Sequence, residues 1–251
     1  MAGHSKWANI KHKKARSDEK RGKEFTKVAK EITIAAKSGG GGDPDSNAKL
    51  KLAIQKAKSI NMPNENITRA IKKGTGEIQG EALEEIVYEG YAPAGVAVML
   101  DIATDNRNRT APDIRHLFSK HNGNLGESGC VSWMFKRVGL ISINKEQAPD
   151  EEELLLLALE LGADDLQDEG DSYDIITSPE SFLEVKEALE NAGLTIAEAD
   201  LDMLPENQVE INDVDTALKV IKLIELLEDH DDVQQVYTNM NLTDEVLAKL
   251  S

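Results

Sequence analysis

Residues 139–204 read GLISINKEQAPDEEELLLLALELGADDLQDEGDSYDIITSPESFLEVKEALENAGLTIAEADLDML. The short run 140–143 predicts a strand. Asp150 and three glutamates lead into a leucine-rich segment, which predicts a helix over 150–161. Apolar runs at 163–166 and 173–177 predict two more strands. Ser178-Pro179 opens a second helix, in which Phe182, Val185 and Leu189 share one face, and Gly193 ends it. A last strand is expected over 195–201. The order βαββαβ is the ferredoxin-like plan.

On either side of this unit lie pieces of another. Residues 206–251 contain a short strand around Val209, a strongly apolar helix over 214–227 and a strand over 233–237, too few strands to close a sheet. Upstream, 86–91 and 95–103 read as strands joined by the turn Pro93-Ala94-Gly95. A helix is expected to start at Thr110, where Thr110-Ala-Pro112-Asp113 reads as a capping signal. Ile114, Leu117 and Phe118 form its inner face, Gly123 and Gly126 end it, and 131–135 is the next strand. The expected division is therefore a discontinuous α/β domain of residues 79–138 plus 205–251, with 139–204 inserted in it.

The first 78 residues follow a different pattern. In 18–37, Phe25, Val28, Ile32, Ala35 and Ala36 recur at helical spacing, and Lys23, Lys27, Lys30 and Lys37 fall on the opposite side, a stripe for solvent or phosphate. Four glycines at 39–42 and Pro44 end this helix. A second helix over 46–60 turns Leu50, Ala53, Ile54, Ala57 and Ile60 inward. A short third has Ile67, Ala70 and Ile71 inward and Arg69, Lys72 and Lys73 near its end, where cations suit the macrodipole, and Gly74 stops it. The fold class is α+β: an N-terminal three-helix bundle followed by two α/β ferredoxin-like domains, the last inserted in the other.

Charge follows the same boundary. Residues 1–74 hold 18 Lys+Arg against 7 Asp+Glu, a balance of +11; residues 75–251 hold 11 against 39, a balance of −28, within a net charge of −17. Such segregation points to a basic segment that meets a polyanion and an acidic body that does not. The opening arm carries Lys6, Lys11, Lys13, Lys14 and Arg16 with no acid before Asp18. Trp7 offers either a stacking surface for a base or a hydrophobic anchor, and His4 and His12 add hydrogen-bonding capacity. Nothing in the arm spells a base-reading code. Residues 104–110, TDNRNRT, form a second candidate. Arg107 and Arg109 stand where a helix start attracts anions, unless they pair with Asp101, Asp105 or Asp113.

Several classes fall away. One cysteine supports neither a disulfide framework nor a cysteine-built metal site. His116 and His121 are five apart, off the four-residue spacing of two helical metal ligands. Cys130 has no histidine beside it and is read as a small buried residue. The acids at 150–153 and 164–171 are read as solvated surface, so no catalytic residue, metal or cofactor is expected. The longest apolar run, 154–159, is far short of the roughly 20 residues that span a bilayer. The N-terminus has no signal core, and a cytoplasmic protein with no membrane partner is expected.

The opening MAGHSKWANIKHKK, the TDNRNRT loop and Gly123-Asn-Leu-Gly126 with Gly129 and Phe135 closely resemble the YebC/PmpR family of transcriptional regulators, over essentially the whole chain. That family includes mitochondrial translational activators of cytochrome c oxidase. The resemblance implies three domains, a cytosolic location in bacteria and, for some members, DNA binding in regulation. For others it implies ribosome-associated translation, including relief of stalling at proline-rich stretches. Read together, the chain is expected to be a non-enzymatic nucleic-acid-binding regulator of transcription. A ribosome-associated, RNA-binding translation factor is the alternative, and a metal-dependent enzyme a distant one. The expected contacts are Lys6, Trp7, Lys11, His12, Lys13, Lys14, Arg16, Lys23, Lys27, Lys30, Arg107 and Arg109, with protein partners on the acidic domains.

Overall fold

The computed structural model describes residues 18–80 and 82–250. Three helices come first: α1 (Asp18–Ser38), α2 (Ala48–Ser59) and α3 (Asn64–Thr75). Their apolar stripes meet in one core of Val28, Ile32, Ala35, Leu50, Ala53, Ala57, Ile67 and Ala70. Asn47 caps α2 by accepting from the Leu50 N–H, and its amide also donates to the Ala35 and Gly41 carbonyls, so one side chain fastens both ends of the glycine loop. Helix α3 passes through Gly74 and is capped by left-handed Gly76 (φ 81°). Gly74 serves close packing instead: a Cβ there would lie 2.3 Å from the Thr33 carbonyl oxygen and 2.7 Å from the Ala36 Cβ.

Next come β1 (Glu84–Tyr91), β2 (Ala97–Thr104), α4 (Arg107–Lys120) and β3 (Asn124–Leu125). β1 and β2 form an antiparallel hairpin with Ile86 opposite Ile102 and Tyr88 opposite Leu100. Its turn holds Ala94 (φ 62°) and Gly95 (φ 75°) in the left-handed region, as the Pro-Ala-Gly reading expected of a tight connection. The buried Glu89 carboxylate accepts from the Gly129 and Val131 N–H groups and so shapes the segment after β3. α4 starts three residues earlier than expected. Asn106 is its N-cap, accepting from the Arg109 N–H, because the Thr110 hydroxyl is drawn to other partners. Pro112 therefore sits in the second turn, where it removes one helical hydrogen bond.

The middle of the chain has the order β4 (Phe135–Asn144), α5 (Glu151–Glu160), β5 (Asp165–Asp168), β6 (Ser172–Thr177), α6 (Phe182–Asn191) and β7 (Glu198–Pro205). The strands lie in the order β5-β6-β4-β7, all antiparallel, which is the ferredoxin-like arrangement. Asp150 caps α5 by accepting from the Glu152 and Glu153 N–H groups, so this acidic run marks a helix start. Ile141, Ile143, Leu154, Ile175, Phe182, Val185 and Leu189 are buried. The strand expected at 131–135 does not form: Ser132–Met134 is a short 3-10 turn, and β4 starts only at Phe135, then runs unbroken through the expected 140–143 strand. Lys136 and Arg137 interrupt the apolar pattern, yet both pair with β7, opposite Leu204 and Met203.

β8 (Val209–Ile211), α7 (Val214–Glu228), β9 (Val233–Thr238), β10 (Met240–Leu242) and α8 (Asp244–Leu250) complete the chain. β9 joins the first sheet, giving the order β3-β1-β2-β9, so that sheet is assembled from both sides of the insertion. β8 does not join it, contrary to expectation. It pairs in parallel with β10, Val209 opposite Met240, a partner too short to stand out in the sequence. Described residues 18–131 and 215–237 form one compact unit, and 132–214 with 238–250 another.

Two glycine variants test the helical core with opposite signs. Gly22→Ala, in α1 with nothing within 4 Å of the added methyl, is expected to raise stability by up to about 1 kcal/mol. Gly74→Ala carries the same helix preference but must part α1 from α3, and is expected to cost about 1–3 kcal/mol. Denaturant titration of both decides it, and a Gly74→Ala gain would refute the close approach. A fragment of residues 132–206 is expected to melt cooperatively by itself, because its four strands and two helices close one layered core. A featureless melt would contradict its autonomy.

Candidate nucleic-acid interface

The loop between β2 and α4 carries Arg107 and Arg109, and the structure treats them differently. Its centre is Asp232, just before β9, whose side chain is only 4% exposed. Asp232 accepts from Lys30 Nζ at 2.8 Å, Thr110 Oγ1 at 2.7 Å and Arg109 Nη2 at 3.0 Å. The Thr104 hydroxyl accepts from the Asn106 N–H at 2.9 Å and lies 2.8 Å from the Thr110 hydroxyl. Burial by itself would raise the Asp232 carboxyl, but hydrogen bonds from Lys30, Thr110 and Arg109 outweigh it and hold the group well below the usual carboxylate range. Arg109 also donates to Asp105 at 2.8 Å. Its hydrogen bond to Asp232, then that to Asp105, raise the guanidinium further above its ordinary value. Arg109 is thus already engaged with two carboxylates. Arg107 is exposed and has no ion pair among the described residues.

The lysine stripe of α1 faces protein, where it was expected to face solvent or phosphate. Lys23 Nζ lies 3.2 Å from the Asp229 carboxylate and donates to the Asp229 carbonyl. Lys27 donates to the Glu228 carbonyl, and Lys30 to the carbonyls of Asp231 and Ala103. Lys37 donates to the Leu83 carbonyl. Residues 228–231 are the last residue of α7 and the three after it, at the end where carbonyls lack helical partners and the macrodipole is negative. Successive turns of α1 therefore supply the cationic cap that α7 lacks in its own last turn. Periodicity placed these lysines on one face; it held no information about which acceptors that face would meet.

Other cations do point outward. Arg69, Lys72 and Lys73 near the end of α3, and Lys58 in α2, are exposed and make no side-chain hydrogen bond or ion pair with a described residue. Arg69 and Lys73 edge a groove of about 330 Å³ between α1 and α3, with Phe25, Thr26 and Leu83 among its lining. The sequence showed these α3 cations but explained them by the helix end alone. Lys6, Trp7, Lys11, His12, Lys13, Lys14 and Arg16 lie outside the described residues.

Catalytic chemistry gains no support from the described part. No group of three His, Cys, Asp or Glu side chains there is placed to hold a metal ion. Burial, reinforced by Glu89, pushes the Cys130 thiol up, the reverse of an activated nucleophile. No described helix is long and apolar enough to cross a membrane.

Residues 5–77 match the model of the TACO1/YebC protein N-terminal domain, and residues 83–240 that of the TACO1/YebC second and third domain. A protein of Syntrophomonas wolfei named "Probable transcriptional regulatory protein" is 72% identical over 251 residues, covering all of both chains. One of the same name from Natranaerobius thermophilus is 58% identical, over 98% of this chain and 99% of its own. The crystal structure of a conserved hypothetical protein from Aquifex aeolicus superposes with a TM-score of 0.86 at 53% identity, covering 96% of this chain and 98% of that one.

Asp232→Asn is expected to destabilise the protein by about 3 kcal/mol near neutral pH, because it removes the buried charge that Lys30 and Arg109 face. The native carboxyl titrates below its unfolded counterpart. Its contribution is therefore whole above the unfolded value, roughly pH 4, and is lost as pH falls toward the native one. Urea titrations of both proteins across pH should show the gap narrowing below about pH 4. A gap independent of pH would contradict this ionic assignment.

Proposed function

The chain belongs to the TACO1/YebC family, and on that premise we propose that it is a nucleic-acid-binding regulator of transcription with no catalytic activity of its own. The observation that carries this reading is the charge partition, +11 over residues 1–74 against −28 over the rest. A basic end of this size gains affinity for a phosphate backbone by releasing counterions, and it does so without reading bases. In this reading Lys6, Lys11, Lys13, Lys14 and Arg16 grip phosphates, Trp7 and His12 sit among them, and Arg69, Lys72, Lys73 and Arg107 extend the cationic surface. The acidic α/β parts repel surrounding nucleic acid and are left to meet protein partners in the cytoplasm. Relatives named as transcriptional regulators favour DNA as the nucleic acid.

A second reading, contact with structured RNA on the ribosome, is favoured by one specific observation. Lys23, Lys27 and Lys30 of α1 are engaged by the end of α7 and the residues after it, so these positions do not offer the outward cationic face that a groove-reading helix would use. What remains is suited to backbone and shape, which is how folded RNA is mostly held.

The test is a full-length variant with Lys11, Lys13, Lys14 and Arg16 all changed to Ala. Its affinity for DNA is expected to fall across unrelated sequences, with the salt dependence flattening by about 0.9 log units for each phosphate no longer neutralised. Wild-type affinity and an unchanged salt slope would remove the arm from the interface.

A further inference from the structure

The end of α4 and the first half of α7 border an open groove of about 370 Å³. Lys120, His121, Lys219 and Lys222 line it, together with Asp215 and Leu218. Helical geometry sets this gathering. Lys219 and Lys222 are three residues apart and share one face of α7, while Ala217, Val220, Ile221 and Ile224 are buried on the other. Lys120 is the last residue of α4, two beyond the buried Phe118.

The three ammonium groups have no hydrogen bond or ion pair with any described residue. Asp215 stands one turn before Lys219, the spacing that normally pairs acid with base on a helix, and makes no ion pair with it. A cation at the end of a helix is explained by the macrodipole, which accounts for Lys120. Lys219 and Lys222 lie mid-helix, where that explanation does not reach. Gathering like charges costs self-repulsion, and a chain of net charge −17 has ample carboxylate to neutralise them. Leu218, beside Lys219 in sequence, is 50% exposed, so the face is also open.

We propose that this groove is a second phosphodiester-binding surface, distinct from the N-terminal arm and from α3; the proposal rests on the nucleic-acid reading above. The chemistry of the lining sets what it takes. Lysines are compact point charges that bind phosphate without the bidentate geometry by which arginine selects guanine. The groove has no Phe, Tyr or Trp side chain on which a base would stack. It therefore grips backbone and adds affinity without adding sequence choice.

The test uses the full chain with Lys120→Gln, Lys219→Gln and Lys222→Gln combined. A random-sequence duplex DNA and a single-stranded RNA of the same length serve as probes, followed by fluorescence anisotropy over a salt series. Binding is expected to weaken on both, and the duplex salt slope to fall by about 0.9 for each phosphate the groove no longer holds, with the melting temperature unchanged. The corresponding triple Arg variant is expected to keep affinity and slope. Wild-type affinity and slope in the Gln variant, while the arm variant loses both, would overturn the groove and leave the nucleic-acid reading standing. Failure of the unaltered chain to bind either probe would overturn both.

Discussion

Lys30 from α1, Arg109 and Thr110 from the start of α4, and Thr104 from the end of β2 converge on one buried carboxylate, Asp232. The Ala103 N–H donates to the Asp232 carbonyl at 2.8 Å, so main chain and side chain are held together. Removing a charge from water is costly, and a buried carboxylate persists only where its partners are placed well enough to offset that cost. Here the partners come from segments separated by more than a hundred residues. The same contact that neutralises Asp232 fixes where α1 lies against α7 and where the loop before α4 turns. Lys23 and Lys27 extend it along the end of α7. Much of the positive charge of α1 is thus taken up inside the fold, and the cationic surface left for a ligand lies elsewhere.

How far the sequence discloses this depends on the range of the interaction. The three N-terminal helices, the hairpin β1–β2 and the βαββαβ unit are written in local signals: apolar spacing, the Asp150 cap and the turn at Pro93-Ala94-Gly95. Of the strands in 206–251 only β9 joins the first sheet, while β8, β10 and α8 fall in the compact unit of the middle strands. What was not legible was pairing between distant segments. The pairing of Lys136 and Arg137 with β7 carries β4 through an apparent break. The pull of Asp232 on Thr110 moves the start of α4 back to Arg107. The contact of Gly74 with Thr33 turns an apparent stop signal into a packing device. The candidate site follows the same rule. Arg107 and Arg109 are equivalent as residue types, and only the fold shows that Arg109 is tied to Asp105 and Asp232.

These placements sharpen the functional account. The relatives are named probable transcriptional regulatory proteins, and the charge partition offers a physical means for the role proposed here. On the proposed reading, a polyanion is drawn to the exposed cationic surfaces and held off by the carboxylates around them, so contact is oriented before any specific bond forms. With Lys23, Lys27 and Lys30 taken up structurally, the exposed cations of α3, Arg107 and the α4–α7 groove are among the described positions proposed for backbone contacts. Lysine and arginine on open helix faces hold a backbone well and distinguish bases poorly, which places selectivity in shape or in protein partners.

The measurement that bears most directly on this account is genome-wide DNA occupancy of the chain in cells, paired with its sedimentation on a sucrose gradient at near-physiological salt. A DNA-bound regulator predicts discrete promoter-proximal peaks that vanish when the basic arm is neutralised, with the protein absent from ribosomal fractions. No peaks, together with arm-dependent co-migration with ribosomes that survives DNase, would contradict it.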